Sequence, residues 1–475
     1  MTTLTLVWIG LPFFLGFIIY LLPRLDKVLA LGMAIISIGY GLQALLNPSP
    51  LNLQLLDNFG VSLIIDQLSG YFILTNGLVT TAVILYCWHT NKTSFFYTQA
   101  TILHGSVNAA FICADFISLY VALEVIGIAT FLLIAYPRSD RSIWVGLRYL
   151  FVSNVAMLFY LVGAVLVYQT HHSFAFDGLQ GVPPEAIALI FLGLLIKGGI
   201  FISGLWLPLT HSEAETPVSA LMSGVVVKAG VFPLVRLALM IDELDPIVRI
   251  FGVGTALLGA FLAIWEQDTK RMLALSTISQ LGFILAAPIV GGFYALTHGL
   301  VKSTLFLTAG VLPSRNFSEL RTNPINTWLW LVLAIASFSI SGFPLLSGFG
   351  SKVLTLENLL PWQDIPINLA AFGTTIYFAK FIFLPFGAED KVRFSFWPSV
   401  ILLLGGLLAA NVFYDQAYTL SNVIKSVATI GLGWLTYGLI IKRISIQFPR
   451  ELEKFDHLIG FMSLMLIMLF WMVLS

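Results

Sequence analysis

The sequence predicts an all-α polytopic membrane protein of fourteen to sixteen transmembrane helices, with two inverted five-helix repeats and two broken helices. Three observations lead there. Of its 475 residues, 58% are hydrophobic and only 10% charged, whereas a soluble domain carries about 25% charged residues. Mean hydropathy is +0.93. Apolar runs near the 20 or so residues that cross a bilayer follow one another along the whole chain.

The runs give sixteen candidate segments. The first, 4–22, has no basic stretch before it and no small-residue cleavage site after it, so it reads as a spanning helix and not a removed signal peptide. Then come 28–46, 66–88, 96–114, 116–136 and 144–168. The seventh, 186–204, is disturbed by Gly198-Gly199, Gly204 and Pro208. After it come 216–240, 247–265, 272–289 and 291–312. The twelfth, 327–360, is too long for one span and is interrupted by Gly342-Phe343-Pro344 and Gly348-Phe349-Gly350. The last four are 365–386, 396–413, 420–441 and 456–474. Glycine and proline loosen a membrane helix, and broken helices in transporters mark binding or conduction sites.

Loop charges alternate with this count. One set of connections holds Arg24, Lys27, Lys92, Arg138, Arg141, Lys270, Arg271, Arg315, Arg321, Lys391, Arg393, Lys442, Arg443, Arg450 and Lys454. The other holds Asp57, Asp115, Asp177, Glu185, Asp242, Glu243, Asp245, Asp364 and Asp415, with Arg249 its one clear basic residue. The positive-inside rule makes the first set cytoplasmic and puts both termini on the opposite side. A plasma (inner) membrane or another energy-coupling membrane is the expected location.

Residues 1–475 read as a single membrane domain. Lys197 lies in one broken segment with Lys228 in the next, and Lys352 lies in the other with Lys380 in the next. The offset of five segments places the two units in opposite orientations. Residues 96–240 (segments four to eight) and 247–386 (nine to thirteen) are the expected inverted repeats. Residues 396–474 form the C-terminal helices.

Charges at membrane depth cost at least about 2.5–3.5 kcal/mol each, so they are rarely without a role. Glu124 stands in Leu123-Glu124-Val125 and Lys197 in Ile196-Lys197-Gly198. A carboxylate beside a buried lysine tunes its proton affinity, so the two are expected to pair across segments five and seven. Lys228 lies near mid-helix, too deep to snorkel with ease. His298 and Lys302, four apart, share one helix face, and a histidine there can relay protons or serve as a hydrogen-bonded core residue. Lys352 follows the second break, where freed carbonyls can solvate a cation. Lys380, close to a helix end, fits proton transfer and snorkelling equally. His104 alone in segment four reads as packing. Two broken helices would admit water to this file of protonatable groups, which favours a proton or cation transporter over a receptor or structural protein.

Other chemistries find little support. The 24 basic and 24 acidic residues balance, which argues against nucleic acid. Cys87 and Cys113 both sit in apolar runs and read as core residues. Two cysteines cannot supply a four-thiolate cluster. No flavin, nicotinamide, haem or metal motif is visible, so no cofactor is expected and the chain is not a redox catalyst on its own.

Four stretches carry a family resemblance: Leu205–Gly230, with Thr216-Pro217-Val218-Ser219-Ala220-Leu221; Asp268–Gly282, with Ser276-Thr277-Ile278-Ser279-Gln280; Thr297–Leu307, with His298 and Lys302; and Ser341–Lys352. In order and type they resemble the proton-conducting subunits shared by respiratory complex I, membrane-bound hydrogenases and Mrp-type sodium/proton antiporters. The resemblance covers segments four to thirteen. It implies proton transfer at Glu124, Lys197, Lys228, His298, Lys302 and Lys352, while Lys380 has no clear family counterpart.

The resemblance further implies other membrane subunits as partners, with protons and sodium as the ions moved. The Thr216–Gly224 run looks closer to Mrp-type and hydrogenase-type members than to complex I itself, and Lys352 fits an Mrp D-type subunit. The short loop from Pro313 to Pro324 and two segments beyond the common fourteen depart from the family pattern, and the chain lacks the long lateral helix expected of the largest complex I member. The leading expectation is therefore a proton-translocating subunit of an Mrp-type antiporter. The alternative is a pumping subunit of a complex I-like NAD(P)H-quinone oxidoreductase or hydrogenase. A passive scaffold fits the charged residues least.

Overall fold

The computed structural model describes residues 2–56, 60–412, 414, 416–444, 446 and 450–474. Asp57 and Asp415, expected in the acidic connections, lie outside the described residues. All sixteen expected segments are helical. In chain order the helices are α1 (Thr2–Leu21), α2 (Asp26–Leu46), α3 (Gln67–Cys87), α4 (Ser94–Ala110), α5 (Phe116–Ile134) and α6 (Asp140–His171). The seventh segment is split into α7 (Pro184–Gly198), a 3-10 turn at Phe201–Trp206 and α8 (Leu207–Glu213). The eighth comprises α9 (Thr216–Leu221), a π-helical turn at Met222–Val226 and α10 (Lys228–Met240). After α11 (Asp245–Trp265), α12 (Thr269–Ala286), α13 (Gly291–Ala309) and the short α14 (Phe317–Leu320), the twelfth segment is split into α15 (Thr327–Ser341) and α16 (Ser347–Glu357). The chain closes with α17 (Asp364–Ile382), α18 (Phe396–Val412), α19 (Leu420–Leu439) and α20 (Phe455–Leu474).

Local chemistry sets the helix starts. Asp66 caps α3 by accepting from Ser69 N at 2.9 Å, and Asp115 caps α5 by accepting from Ser118 N at 2.7 Å. Each satisfies a first-turn amide that would otherwise lack a partner. A small antiparallel hairpin, β1 (Leu51–Leu56) with β2 (Gly60–Ile65), lies between α2 and α3. The all-helical expectation did not include it. A two-residue parallel pairing, β3 (Ile325–Asn326) with β4 (Phe386–Ala388), ties two loops together.

Among the described residues, eleven helical spans are long and apolar enough to cross a membrane by themselves. α12 and α13 qualify only as a pair, bent by 108° between them. The reason is burial: every residue of α12 is buried inside the protein, so its serines, threonines and Gln280 face neighbours and not lipid. α15 and α18 are shorter apolar helices.

Polar contacts at the loop ends nevertheless sort the ends of the sixteen segments alternately onto two faces. On one face, Lys27 Nζ donates to Trp88 O at 2.8 Å. Lys92 pairs with Glu215 at 2.5 Å, and Arg141 meets Glu213 at 3.5 Å. Arg315 reaches Ser212 O at 2.9 Å and Asp268 at 2.8 Å. Asn326 Nδ2 donates to Asp390 O at 2.8 Å, and Arg271 pairs with Glu453. These contacts join the basic loops into one face.

On the other face, Ala114 N donates to Ser62 O at 2.8 Å and Phe176 N to Ala114 O at 3.0 Å. Arg236 forks onto Asp66 at 2.6 and 2.9 Å. Arg249 reaches Ala286 O at 2.8 Å and Asn358 O at 3.2 Å, and Asn422 Nδ2 donates to Glu357 Oε1 at 3.2 Å. A one-segment miscount would have mixed the two sets.

α9–α13 form the centre of the molecule, and the 216–240 span is wholly buried. α1, α19 and α20 turn most of their surface outward. α19 packs beside α17, whereas α20 packs on α7 at the other end of the chain order.

Candidate ion-translocation site

Two breaks and one π turn position the buried charges. α7 ends in a left-handed Gly199 (φ +69), with Gly199 N bonded to Ile196 O at 3.1 Å and Ile200 N to Leu195 O at 2.9 Å. This is a helix-ending turn that glycine adopts without a Cβ clash. Lys197, in the last turn before it, extends to Ser153 of α6 and donates to Ser153 Oγ at 2.5 Å. A Cβ on Gly127 would stand 3.0 Å from Lys197 Nζ, so the glycine of α5 makes room for the ammonium.

The expected ion pair is not formed. Glu124 stands one turn before Gly127 on the same face of α5, and its Oε1 is buried with no hydrogen-bond partner. No contact of 4.0 Å or less joins Glu124 to Lys197. The lysine's reach is taken up by Ser153 instead. The two charges still act on one another through space.

Lys228 follows the π turn directly. Widening the helix frees carbonyls from the regular ladder, and Lys228 Nζ takes two of them: Gly224 O at 2.6 Å and Ser223 O at 3.2 Å. Gly230 lies so close against the Lys197–Gly198 backbone that a Cβ placed on it would collide with Gly198 N. The first two lysines are therefore backbone neighbours. A Cβ on Gly299 of α13 would stand 3.5 Å from Lys228 Nζ, which brings the ammonium beside His298. One turn further, Lys302 Nζ donates to Leu273 O at 2.6 Å and to Ser276 Oγ.

The second break mirrors the first in its turn. α15 ends in a left-handed Gly342 (φ +84), with Gly342 N on Ser339 O and Phe343 N on Phe338 O, both at 2.9 Å. Lys352 lies ten positions later in α16, but its stem folds back onto the break: a Cβ on Gly342 would stand 2.9 Å from Lys352 Cδ. Its ammonium sits 5.6 Å from the Phe283 ring centre and has no hydrogen-bond partner. Both ring nitrogens of His298 are also buried and unpartnered.

The structure thus gathers Lys197, Lys228, His298, Lys302 and Lys352 along α7, α10, α13 and α16. Lys380 stands apart. Its Nζ donates to Glu266 O at 2.7 Å and Ala263 O at 3.2 Å, the last carbonyls of α11 at the basic face, which is how a lysine completes a helix end. His104 is held among neutral partners, Ser37 Oγ at 2.8 Å and Thr80 Oγ1 at 3.1 Å, as a packing role requires.

Several contributors carried no sequence signal. Ser153 is one serine in an apolar helix, and nothing in Met222–Val226 announces a π turn. His211 was missed although it belongs to one of the four family-like stretches. Its ring stacks on Phe306 at 4.7 Å, and Lys302 Nζ lies 5.8 Å from the same Phe306 ring. A histidine inside a broken apolar segment was the available clue.

Buried amines solvated by freed carbonyls, beside breaks in two helices, define an integral membrane protein built to move ions. Residues 113–377 match the NADH:quinone oxidoreductase/Mrp antiporter transmembrane family, and the chain belongs to it. It is 28% identical over 386 residues to an NAD(P)H-quinone oxidoreductase chain 4 of Synechococcus elongatus, covering 73% of this chain and 70% of that one. It is 26% identical over 397 residues to a D-type Na(+)/H(+) antiporter subunit of Alkalihalophilus pseudofirmus, covering 74% and 80%.

Two solved structures share the fold. A chain of an archaeal membrane-bound sulfane sulfur reductase superposes with a TM-score of 0.78 at 19% identity, covering 92% of this chain and 99% of that one. A chain of the Mrp complex from Dietzia superposes with a TM-score of 0.73 at 24% identity, covering 99% of this chain and 55% of that one. These relatives belong to multisubunit membrane complexes.

Proposed function

We propose that the chain is the proton-translocating subunit of a multisubunit Mrp-type monovalent cation/proton antiporter. The observation that carries this reading is the row of buried amines, each solvated by hydroxyls or carbonyls or left free, running from Lys197 through Lys228 to Lys302 and Lys352 with His298 among them. Such groups can pass a proton because each amine has a place for its charge without a fixed counter-ion to trap it. Glu124, coupled through space to Lys197, biases the first transfer. Lys380 completes the set proposed from sequence, with the weakest case because carbonyls at the basic face already hold it.

The two halves, 96–240 and 247–386, act as inverted repeats, each with a lysine at a break. The basic face is cytoplasmic, by the positive-inside rule, and both termini are on the other side. Sodium is the proposed exchanged cation, on the likeness to the Na(+)/H(+) antiporter subunit. The likeness to NAD(P)H-quinone oxidoreductase chain 4 favours a second reading, a pumping subunit driven by redox chemistry in its partners.

The test is to purify the chain with its native partners and reconstitute the complex in vesicles. Proton movement on imposing a sodium gradient, with no electron donor, supports the antiporter. Movement only on adding a donor and quinone supports the second reading. No proton movement under either condition would sink both.

A further inference from the structure

α1, α2 and α3 stand outside both proposed repeats, and the transport reading gives them no task. Between them and α4 lies a closed group of polar side chains: Ser37 of α2, Asn76 and Thr80 of α3, and His104 and Asn108 of α4. Each is 2% exposed or less, and Trp8 of α1 stands at the edge. Two groups that have only one role fix the direction of every hydrogen bond among them. The first is His104 O, which can only accept. The Asn76 group facing it at 2.9 Å is therefore the amide nitrogen, which also donates to Asn108 Oδ1 at 2.8 Å. Asn108 then turns its Nδ2 to Ser37 Oγ and His104 Nε2, both at 3.1 Å. The second is Trp8 Nε1, which can only donate and reaches Ser37 Oγ at 3.2 Å.

With both lone pairs of Ser37 taken, its hydroxyl donates to His104 Nε2 at 2.8 Å. Nε2 is therefore bare, and the imidazole proton sits on Nδ1, which donates to Thr80 Oγ1 at 3.1 Å. Thr80 donates its own hydrogen to Asn76 Oδ1 at 3.2 Å, and the circuit closes. A second proton on His104 would meet only hydrogens at Nε2. His104 thus carries no charge and relays nothing, unlike His298, whose ring nitrogens are unpartnered.

Thr75 and Val79, one position before Asn76 and Thr80, form the neighbouring stripe of α3. There α3 meets the lysine path. A Cβ on Gly224, in the π turn, would stand 2.9 Å from Val79 Cγ1. A Cβ on Gly299 would collide with Thr75 Cγ2, and would stand 3.1 Å from Gly224 O and 3.5 Å from Lys228 Nζ. Thr75 turns its hydroxyl back onto Tyr71 O at 2.7 Å, so it offers Gly299 a methyl group. α3 therefore closes the surroundings of Lys228 with hydrocarbon, and its placement sets where Gly224 O can lie. Building on the proton-translocation reading, we propose that the circuit through Ser37, Asn76, Thr80, His104 and Asn108 positions Lys228 by holding α3 against the π turn. An apolar face alone would resist rotation or sliding of α3 weakly, because lipid tails are as apolar as the side chains they replace. Either motion breaks a closed set of bonds that hydrocarbon cannot replace. Held this way, Gly224 O stays 2.6 Å from Lys228 Nζ.

The test uses the assembled complex in vesicles. Thr80→Val nearly keeps the side-chain shape and removes the hydroxyl that accepts from His104 and donates to Asn76. Initial proton flux per assembled complex is expected to fall roughly tenfold, since misplacing a reacting group by about 1 Å costs up to about 100-fold. Thr80→Ser keeps the hydroxyl and restores the flux. Thr101→Val, which removes a buried hydroxyl of α4 that has no partner, leaves the flux unchanged. Val79→Ala loosens the same contact from the other stripe, so its loss and that of Thr80→Val do not multiply. In the unmodified complex, nitrogen-15 magnetic resonance of labelled histidine, assigned by the signal lost in His104→Asn, shows a neutral ring protonated on Nδ1. Unchanged flux per complex in Thr80→Val, whatever its yield, confines the circuit to folding and overturns the proposal. Losses that multiply in the double variant overturn it too. So does a His104 ring that is charged or protonated on Nε2, a result that decides the circuit even where Thr80→Val fails to assemble. An unmodified complex that moves no protons overturns the underlying reading instead, and the His104 signal still decides the circuit.

Discussion

At the first break, Gly199 N and Ile200 N close α7 with the same pair of hydrogen bonds that Gly342 N and Phe343 N use to close α15. A second left-handed residue follows each glycine, Phe201 (φ 54) in one and Leu345 (φ 79) in the other. The surroundings differ. Around the first, Trp206 Nε1 donates to Ile196 O at 3.1 Å, Ser203 Oγ to Ile200 O at 2.6 Å and Phe201 N to Thr255 Oγ1 at 2.9 Å. Lys197 is held by Ser153. Around the second, the hydroxyls of Ser337, Ser339, Ser341 and Ser347 and the ammonium of Lys352 are all buried without partners. Unpaired buried polar groups mark where water or an ion belongs. Both connections are held by protein, the second through Ser426 on Gly342 O, Tyr418 on Leu345 N and Asn411 on Leu345 O, but only the first also gives its lysine a side-chain partner.

The largest effect tests what the two breaks share. Lys228 lies between them, and Lys228→Ala should abolish transport while assembly persists, because alanine is easier to bury than an ammonium. Dissipation of a pH gradient in vesicles, with complex yield measured in parallel, decides it. Wild-type exchange from a normally assembled variant would remove Lys228 from the path.

A smaller effect should separate the breaks. Ser153→Ala strips Lys197 of its one hydrogen bond and should slow transport roughly tenfold, since such a bond to a charged group is worth about 1.5–3 kcal/mol. Ser337→Ala, at the loosely satisfied break, removes a hydroxyl that bonds nothing in the protein and should change the rate less than about threefold. The reverse order in initial rates would invert the comparison.

Glu124 sharpens the first break. Glu124→Asp keeps the charge that acts on Lys197 through space and should retain more transport than Glu124→Gln. Equal rates for the two variants would show that the carboxylate charge is not what matters.

Backbone comes next. Gly199→Ala and Gly342→Ala each place a Cβ on a left-handed residue, at a cost of about 1–2 kcal/mol. The first Cβ would collide with Leu207 Cδ1, and the second would meet Lys352 Cδ at 2.9 Å. Thermal unfolding temperature should fall in both, but only Gly342→Ala should also displace a transport lysine and lower activity beyond what the lost stability explains.

The smallest effect concerns the acidic face, where Arg236 fastens α10 to Asp66 at the start of α3. Burial opposes ionisation of Asp66, yet the hydrogen bonds and charge of Arg236, with Ser69, hold its carboxyl below the usual range. A depressed carboxylate adds stability above its unfolded pKa, near 3.9, and loses it as pH falls through the lower folded value. Asp66→Asn should therefore destabilise the complex by about 1 kcal/mol near neutral pH, given partial exposure. The deficit should shrink in acid, as read by unfolding temperature against pH.

The sequence alone determined a great deal. Apolar runs, loop charges and glycine pairs were sufficient for sixteen helices, their alternation and both breaks, because each is a local consequence of a solvent that leaves no backbone group unpaired. Lys197, Lys228, His298, Lys302 and Lys352 were legible because a titratable residue in an apolar run is conspicuous. Only the tertiary structure decided their partners. Glu124 was expected to hold Lys197, but Ser153 does, since which side chain meets a lysine depends on how α5, α6 and α7 pack and not on spacing within any one of them. Lys380, close to a helix end, fitted proton transfer and snorkelling equally in sequence; it reaches the end of α11, because a carbonyl ladder ending nearby is invisible until two distant helices are placed side by side. The π turn beneath Lys228 arises the same way, among neighbours on α3 and α13 that no one-dimensional pattern records.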